Sequence, residues 1–159
     1  MNTEKGVTLI SLTITIVVMI ILTFAISVNI GPYTEQREKK NFETDMQRLK
    51  EEIEQYYARA KELPLLNKYT DTTMLQEIKN TNDNDEYYVI DVRQLELKLN
   101  YGKDYVKVLE KDQKAEITSS DNLKDLYIIN KQSHTIYYPK GVEYSGHINY
   151  RLPEVFTKI

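Results

Sequence analysis

Residues 7–30 carry no charged side chain, and this run constrains the fold more than any other feature of the sequence. As an α-helix with a rise of ~1.5 Å per residue, a run of this length reaches ~36 Å, which spans a ~30 Å hydrocarbon core with some tilt. A cleaved secretory signal has an apolar core of only ~7–15 residues and a small-residue cleavage site, which Ala25 and Ser27 match poorly. The run therefore predicts a transmembrane helix that the mature protein keeps.

The composition of the chain excludes several classes of function. Its 159 residues carry 21 Lys and Arg against 24 Asp and Glu, so no broad basic surface is available for nucleic acid. The absence of cysteine excludes a disulfide framework, a thiolate metal site and a cysteine nucleophile. Since domains commonly have ~100–150 residues, we expect one small domain besides the membrane segment.

The N-terminal boundary of the apolar run carries a second pattern. Lys5 and Gly6 end a short polar leader, and Val7, Thr8 and Leu9 open the apolar run directly after it. This boundary resembles the prepilin cleavage and methylation motif of type IV pilins and type II secretion pseudopilins. The resemblance implies that a membrane-embedded aspartyl prepilin peptidase cuts between Gly6 and Val7 and methylates the new amine of Val7. Glycine suits the cut, because no side chain hinders access to its backbone.

One position departs from the family pattern. Most pilins have Glu at the fifth mature position, and counting from Val7 this position is Ser11. A serine hydroxyl can donate a hydrogen bond to a carbonyl of its own helix, but it cannot neutralise a buried ammonium group. The resemblance therefore implies a filament-core position that lacks the usual charge pair, which favours a minor or specialised subunit. The alternative, that Ser11 is a small polar residue tolerated at a helix packing interface, stays open.

Orientation and partners follow from the resemblance and not from charge. Arg37, Lys39 and Lys40 follow the apolar run, so the positive-inside rule alone predicts the opposite orientation. The resemblance implies a single pass through the cytoplasmic membrane with an extracytoplasmic head, and a cell-surface filament after assembly. The implied partners are the prepilin peptidase, an assembly platform, the membrane and other pilin subunits, which pack through residues 7–30. No cofactor and no nucleic acid is implied.

A helix break is predicted directly after the apolar run, at Gly31 and Pro32. Proline in a helix interior removes one hydrogen bond and costs ~3 kcal/mol, so this pair predicts either a kink or the end of the membrane helix. Beyond it, apolar side chains recur at steps of three and four residues up to Pro64, which ends the helix. These side chains are Phe42, Met46, Leu49, Ile53, Tyr56, Ala60 and Leu63.

The stripe predicts an amphipathic helix over residues 31–63, and it needs a partner surface. A coiled coil could use it, but only three heptads are present, so packing against the head is favoured. The other faces carry charged side chains and predict a solvated surface. These side chains are Glu43, Asp45, Arg48, Lys50, Glu51, Glu52 and Glu54.

Residues 64–159 carry the signals of a small antiparallel sheet. A loop is predicted for residues 65–74, followed by a short helix to Lys79, and residues 93–99 predict a short helix or an extended segment. Strands are predicted for residues 87–92, 105–109, 126–130, 135–138, 142–144 and 147–152. Residues 126–142 also resemble the heads of pilin-like proteins from Gram-positive Firmicutes. The predicted fold class is therefore α+β and pilin-like, with a long N-terminal helix packed on an antiparallel sheet.

No pattern of catalytic or metal-ligating residues stands out. The chain contains no phosphate-binding glycine loop, nucleophile elbow or zinc-protease motif, and His134 and His147 lack a second ligand at metal spacing. Residues 80–85 are rich in Asn and Asp, but a calcium loop needs six or more oxygen ligands, usually with a bidentate Glu at a set spacing. We therefore expect a turn there, no metal site and no enzymatic activity.

The sequence thus predicts a structural subunit, a minor pilin or pseudopilin, of a type IV pilus or type II secretion-like filament. Its predicted parts are a leader at residues 1–6, a transmembrane and filament-core helix at 7–30, an amphipathic continuation at 31–63 and a head at 64–159. The alternative is a monomeric, single-pass membrane-anchored module whose extracytoplasmic head binds a ligand. Motility, secretion, DNA uptake and adhesion all stay open as the role of the filament.

Overall fold

The computed structural model describes residues 9–78 and 84–152, without the side chains of residue 9 and residues 25–32. The chain divides into two compact units, Met1–Arg37 and Glu38–Ile159. The predicted cleavage residues Gly6 and Val7 lie outside the described residues. The helices are α1 (Leu9–Ala60), α2 (Thr72–Ile78) and α3 (Tyr105–Leu109), with 3-10 turns at Val92–Leu95 and Ser119–Asp121. The strands are β1 (Leu65–Lys68), β2 (Tyr87–Ile90), β3 (Ile128–Asn130), β4 (Ile136–Tyr137), β5 (Val142–Tyr144) and β6 (His147–Asn149).

The first unit contains the N-terminal part of α1. Its described side chains from Ile10 to Phe24 are all exposed. Within the described part of the chain, no helix is both long and apolar enough to cross a membrane. Gly31 and Pro32 lie inside the assigned helix, but their side chains are not described, so the predicted kink stays a prediction.

The second unit begins with the C-terminal part of α1, which packs on the sheet as its apolar stripe predicts. Phe42, Met46, Leu49 and Ile53 are at most 2% exposed and share one core with residues of the sheet. Tyr56 packs against the edge of this core, whereas Ala60 is exposed at the end of the helix. The prediction of packing on the head is therefore confirmed.

A four-stranded antiparallel sheet forms the centre of the second unit, with strand order β1-β2-β3-β4. Tyr88 of β2 pairs with Ile129 of β3, which in turn pairs with Ile136 of β4. The tight connection of β3 to β4 through residues 131–135 is the hairpin that the sequence predicts. The α+β class with an antiparallel sheet is thus confirmed.

Both faces of this sheet are covered. Successive residues of a strand point to opposite faces, and Ile129 of β3 joins the core beneath α1 whereas Ile128 joins a second core. The second core contains Met74 of α2, Val108 of α3 and Ile117. The sequence predicts the layer that α1 forms on one face of the sheet. It does not predict the second layer, of short helices and loops, on the other face.

Two of the predicted elements are wrong. Residues 65–68, predicted as loop, form strand β1 because they pair with β2 on one side and bond to the segment around Ile117 on the other. The amide of Ile117 donates to the carbonyl of Lys68, and the amide of Thr70 donates to the carbonyl of Ile117, both at 2.8 Å. Residues 105–109, predicted as strand, form helix α3. Their strand propensity is worth only ~1 kcal/mol, and the local hydrogen bonds at Asp104 favour the helical turn instead.

Strands β5 and β6 form a separate two-stranded hairpin at the predicted positions. Its two turn residues, Ser145 and Gly146, have φ of 55° and 73°. Positive φ at both central residues is typical of the type I′ turn, whose twist matches that of the flanking strands. The hairpin adds Val142 and Tyr144 to the core beneath α1.

Candidate functional site

The first candidate site is the apolar surface of α1 between Ile10 and Phe24. Eleven large apolar side chains there are 48–71% exposed. They are Ile10, Leu12, Ile14, Ile16, Val17, Val18, Met19, Ile20, Ile21, Leu22 and Phe24. Because successive helix residues are ~100° apart, the exposed run at residues 16–22 covers the whole circumference of the helix.

Two hydroxyl groups on this surface bond to their own helix. The hydroxyl of Thr15 donates to the carbonyl of Ser11 at 2.8 Å, and that of Thr23 donates to the carbonyl of Met19 at 2.7 Å. Such back-bonding satisfies a hydroxyl without a partner from another helix. Ser11, the position where the prepilin resemblance implies Glu, lies on the same exposed surface.

Of the sequence-predicted site residues, the structure describes Ser11, Gly31 and Pro32, and these lie about 20 residues apart along one helix. Ser11 lies on the apolar surface, Gly31 and Pro32 lie just before the midpoint of the same helix, and Gly6 and Val7 lie outside the described residues. Their predicted roles in processing and assembly depend on their order along the chain. The structure therefore leaves these roles as predictions.

The second unit contains a buried carboxylate that the sequence analysis assigned to a solvated face. Asp45 is fully buried on α1, and the prediction of an exposed side chain is wrong for this residue. Its Oδ2 atom accepts hydrogen bonds from Asn100 N at 2.7 Å, Tyr101 N at 3.1 Å and the Tyr127 hydroxyl at 2.8 Å. Its Oδ1 atom accepts from Asn100 Nδ2 at 2.8 Å. Four donors thus replace the water that burial removes.

A second buried carboxylate binds the next residue of the same loop. Asp125 Oδ1 accepts from Gly102 N at 2.7 Å and from the Tyr138 hydroxyl at 2.8 Å, and Lys140 Nζ lies 3.7 Å from Oδ2. Burial raises the pKa of Asp125, but these hydrogen bonds and the charge of Lys140 outweigh it and hold the pKa below its ordinary value.

Together, Asp45 and Asp125 form what we call the carboxylate clamp. Three consecutive amide groups, those of Asn100, Tyr101 and Gly102, donate to these two carboxylates. Gly102 has φ of +98°, which side-chain-bearing residues rarely adopt. Hydrogen bonds to charged acceptors contribute ~1.5–3 kcal/mol each, so the clamp fixes the connection between β2 and β3 to the long helix.

A third buried carboxylate orders the start of that connection. Asp91, 3% exposed, accepts from Arg93 Nε and Nη2 at 3.0 Å, from Gln94 Nε2 at 3.1 Å and from the Tyr105 hydroxyl. Burial raises the pKa of Asp91, but the bonds from Arg93, Tyr105 and Gln94 outweigh it and lower the pKa to about 2. Burial and the bond to Asp91 raise the pKa of Tyr105 to about 12.

These carboxylates position loops. Within residues 9–78 and 84–152, no three His, Cys, Asp or Glu side chains are placed to hold a metal ion. Asp45 could have been found from the sequence, because it lies three residues after Phe42 and next to Met46, on the border of the apolar stripe. Asp91 follows strand β2 and Asp125 precedes strand β3. Neither borders an apolar helix stripe that would have indicated burial.

Comparisons with known proteins give no relative on which to rest a function. No protein-family model matches the chain, and neither the curated proteins nor the solved structures contain a significant match.

Proposed function

We propose that the chain is a structural subunit, a minor pilin or pseudopilin, of a type IV pilus or type II secretion-like filament. The observation that carries this proposal is the exposed apolar surface of α1 between Ile10 and Phe24. A helix that is apolar around its whole circumference is stable only where other apolar groups surround it.

Removing this apolar surface from water would release a large free energy. Full burial of one Val, Leu, Ile, Phe or Met side chain contributes ~1.5–3 kcal/mol. Eleven side chains that are about half exposed therefore leave on the order of 10 kcal/mol to be gained from a suitable environment. A bilayer supplies that environment before assembly, and neighbouring helices, packed through residues 7–30, supply it in a filament.

The N-terminal boundary supports the same role. Gly6 followed by Val7, Thr8 and Leu9 provides the cleavage site for a prepilin peptidase, after which an assembly platform extracts the helix from the cytoplasmic membrane. The head stays on the extracytoplasmic side throughout. Ser11 in place of Glu fits a minor subunit, since one copy without the charge pair is tolerated best at a filament end or at low abundance.

The hydrogen bonds between α1 and the rest of the second unit suit a subunit that an assembly platform extracts from the membrane through its helix. Asp45 belongs to α1, and its bonds to Asn100, Tyr101 and Tyr127 connect the helix to a loop and a strand remote in sequence. The chain has no cysteine, so these bonds and the two apolar cores hold the head in place of disulfides. Assembly of this kind requires no catalysis by the subunit.

Mass spectrometry of the protein extracted from membranes of its native host tests the proposal. We expect a mature chain that begins at N-methylated Val7, and a Gly6→Val variant that keeps residues 1–6. If the wild-type chain keeps residues 1–6 while the peptidase processes another substrate in the same cells, the proposal is wrong. The chain would then be the monomeric membrane-anchored binding module.

A further inference from the structure

The second unit contains a cavity of about 130 Å3 between the sheet and the loop that the carboxylate clamp holds. Ile90 and Tyr127 form its floor and are at most 3% exposed, whereas Leu97, Leu99 and Tyr101 are half-buried and form its wall. The floor is therefore closed to solvent, while the wall reaches the surface and gives a small molecule access. An apolar cavity of ~150 Å3 is known to hold one benzene ring, so this cavity has the size for a single ring.

The wall of the cavity has a fixed position. Leu97 and Leu99 pack against the core beneath α1, with the exposed Lys98 between them. The clamp holds the residues that follow, because the amides of Tyr101 and Gly102 donate to its two carboxylates. Gly102 lines the cavity without a side chain, so the space beside the ring of Tyr127 stays open.

The chemistry of the lining favours a neutral ligand. Among the described residues, those that line the cavity carry no charged side chain, and the surface of the cavity is slightly more apolar than polar. The hydroxyl of Tyr127 donates its proton to Asp45, and that of Tyr105, which also lines the cavity, donates to Asp91. Each oxygen keeps acceptor capacity. An anion would thus lose its hydration and gain no cationic partner, whereas a neutral group with one donor suits the lining.

We propose that this cavity binds a small neutral aromatic alcohol or phenol, that is, one ring that carries one hydroxyl group. The ring contacts the aliphatic and aromatic side chains, and the hydroxyl group satisfies the polar part of the lining. The cavity lies wholly within the second unit, so the proposal goes beyond the role in a filament and does not depend on it.

The cavity and the clamp share residues, which gives binding a second effect. Tyr101 and Gly102 line the cavity and donate their amides to the clamp. A ligand that binds only when the loop is closed shifts the opening equilibrium of the loop by mass action. We therefore expect these two amides to exchange with solvent about tenfold more slowly at a ligand concentration of ten times the Kd.

A titration of the full chain in detergent micelles with benzyl alcohol tests the proposal, with the 13C methyl signals of Leu97 and Leu99 as the readout. We expect a saturable shift with a Kd of about 1 mM, the range for a ligand of this size. Benzoate has the same ring with a negative charge, and glycerol has hydroxyl groups without a ring, so neither should give a saturable shift. The methyl signals of Val89, in the second core, report any general effect of the alcohol on the fold.

Matched variants place the binding in the cavity. Val92 lines the cavity, so Val92→Phe puts a ring into the space that the ligand needs, and we expect the Kd to rise at least about tenfold. Val106→Phe makes the same change at a side chain of α3 that is 61% exposed, and it should leave the Kd unchanged. Leu99→Ala enlarges the cavity and should admit 2-naphthalenemethanol, which the wild type excludes.

Several outcomes would overturn the proposal. A shift at Leu97 and Leu99 that does not saturate, or that Val89 shares, would show that benzyl alcohol has no site in the cavity. Equal binding of benzoate would exclude a neutral site, and equal binding of glycerol would exclude recognition of the ring. If Val92→Phe fails to fold, Leu99→Ala decides, and an unchanged preference for the smaller ring would place the binding elsewhere.

Discussion

Asp45 Oδ2 accepts a hydrogen bond of 2.8 Å from the hydroxyl of Tyr127, across 82 positions of sequence and in a site closed to solvent. Burial raises the pKa of Tyr127, and the nearby charge of Asp45 raises it further, so the phenol stays a donor over the whole physiological range. The same carboxylate holds the amides of Asn100 and Tyr101. One acidic side chain thus connects the long helix, the sheet and the loop between β2 and β3.

The first prediction concerns Asp45→Asn, which keeps the shape of the side chain and removes its charge. The amide replaces one accepting oxygen by a donor, so at least one of four buried donors loses its partner. We expect the free energy of unfolding to fall by ~2–4 kcal/mol, measured by urea denaturation of the full chain in detergent micelles. The matched change Glu54→Gln, at an exposed site of α1, should cost less than ~0.5 kcal/mol. Equal stability of the two variants would contradict a structural role for the clamp.

The second prediction concerns Gly102, whose backbone conformation the clamp requires. An alanine at this position would have to adopt φ of +98°, and its Cβ atom would lie 3.4 Å from the ring of Tyr127. We expect Gly102→Ala to lower the free energy of unfolding by ~1–3 kcal/mol. Gly146→Ala is the control, because φ is +73° and no atom lies within 4 Å of the added group. The melting temperature should fall further for Gly102→Ala than for Gly146→Ala, and the reverse order would be incompatible with this argument.

How far the sequence predicts this fold depends on the length of each pattern. The stripe from Phe42 to Ile53 repeats over several helical turns, so it predicts both the helix and its buried face. Residues 105–109 contain two valines and a tyrosine, which favour a strand, yet they form α3. Five residues are too few for the pattern to outweigh the local turn that begins at Gly102.

The carboxylate network could be predicted only in small part. A buried Asp has no sequence pattern of its own, because the donors that make burial tolerable come from residues remote in the chain. Asp45 lies at the border of the stripe and could have been suspected, whereas the partners Asn100 and Tyr127 are fixed by the tertiary fold.

The third prediction concerns acid stability. The pKa of Asp91 is about 2 in the folded chain and 3.8 ordinarily, so its contribution is complete above pH ~4 and is lost as the pH falls towards 2. This loss amounts to about 2 kcal/mol of unfolding free energy. Tyr105→Phe removes one donor to Asp91, which raises the pKa of the folded carboxyl and makes the loss between pH 4 and pH 2 smaller.

Tyr57→Phe is the matched control, because Tyr57 is 41% exposed and lies at the end of α1. Its unfolding free energy should depend on pH as that of the wild type does. Asp104 and Asp125 also have lowered pKa values and add to the total loss, so the difference between the two variants isolates Asp91. If Tyr105→Phe has the pH dependence of the wild type, the hydroxyl does not stabilise the ionised carboxylate.

The fourth prediction tests whether the apolar surface of α1 lies between copies of the chain. Because the sequence contains no cysteine, Ile16→Cys introduces the only thiol, at a side chain that is 51% exposed. In host cells that assemble filaments, mild oxidation should join this thiol to the thiol at position 16 of a second copy, giving a dimer on a non-reducing gel. Gln76→Cys, on α2, should stay monomeric under the same conditions. Crosslinking at Ile16 that persists in cells lacking the assembly platform would indicate association in the bilayer alone, and its absence in assembling cells would argue for a helix surrounded by lipid.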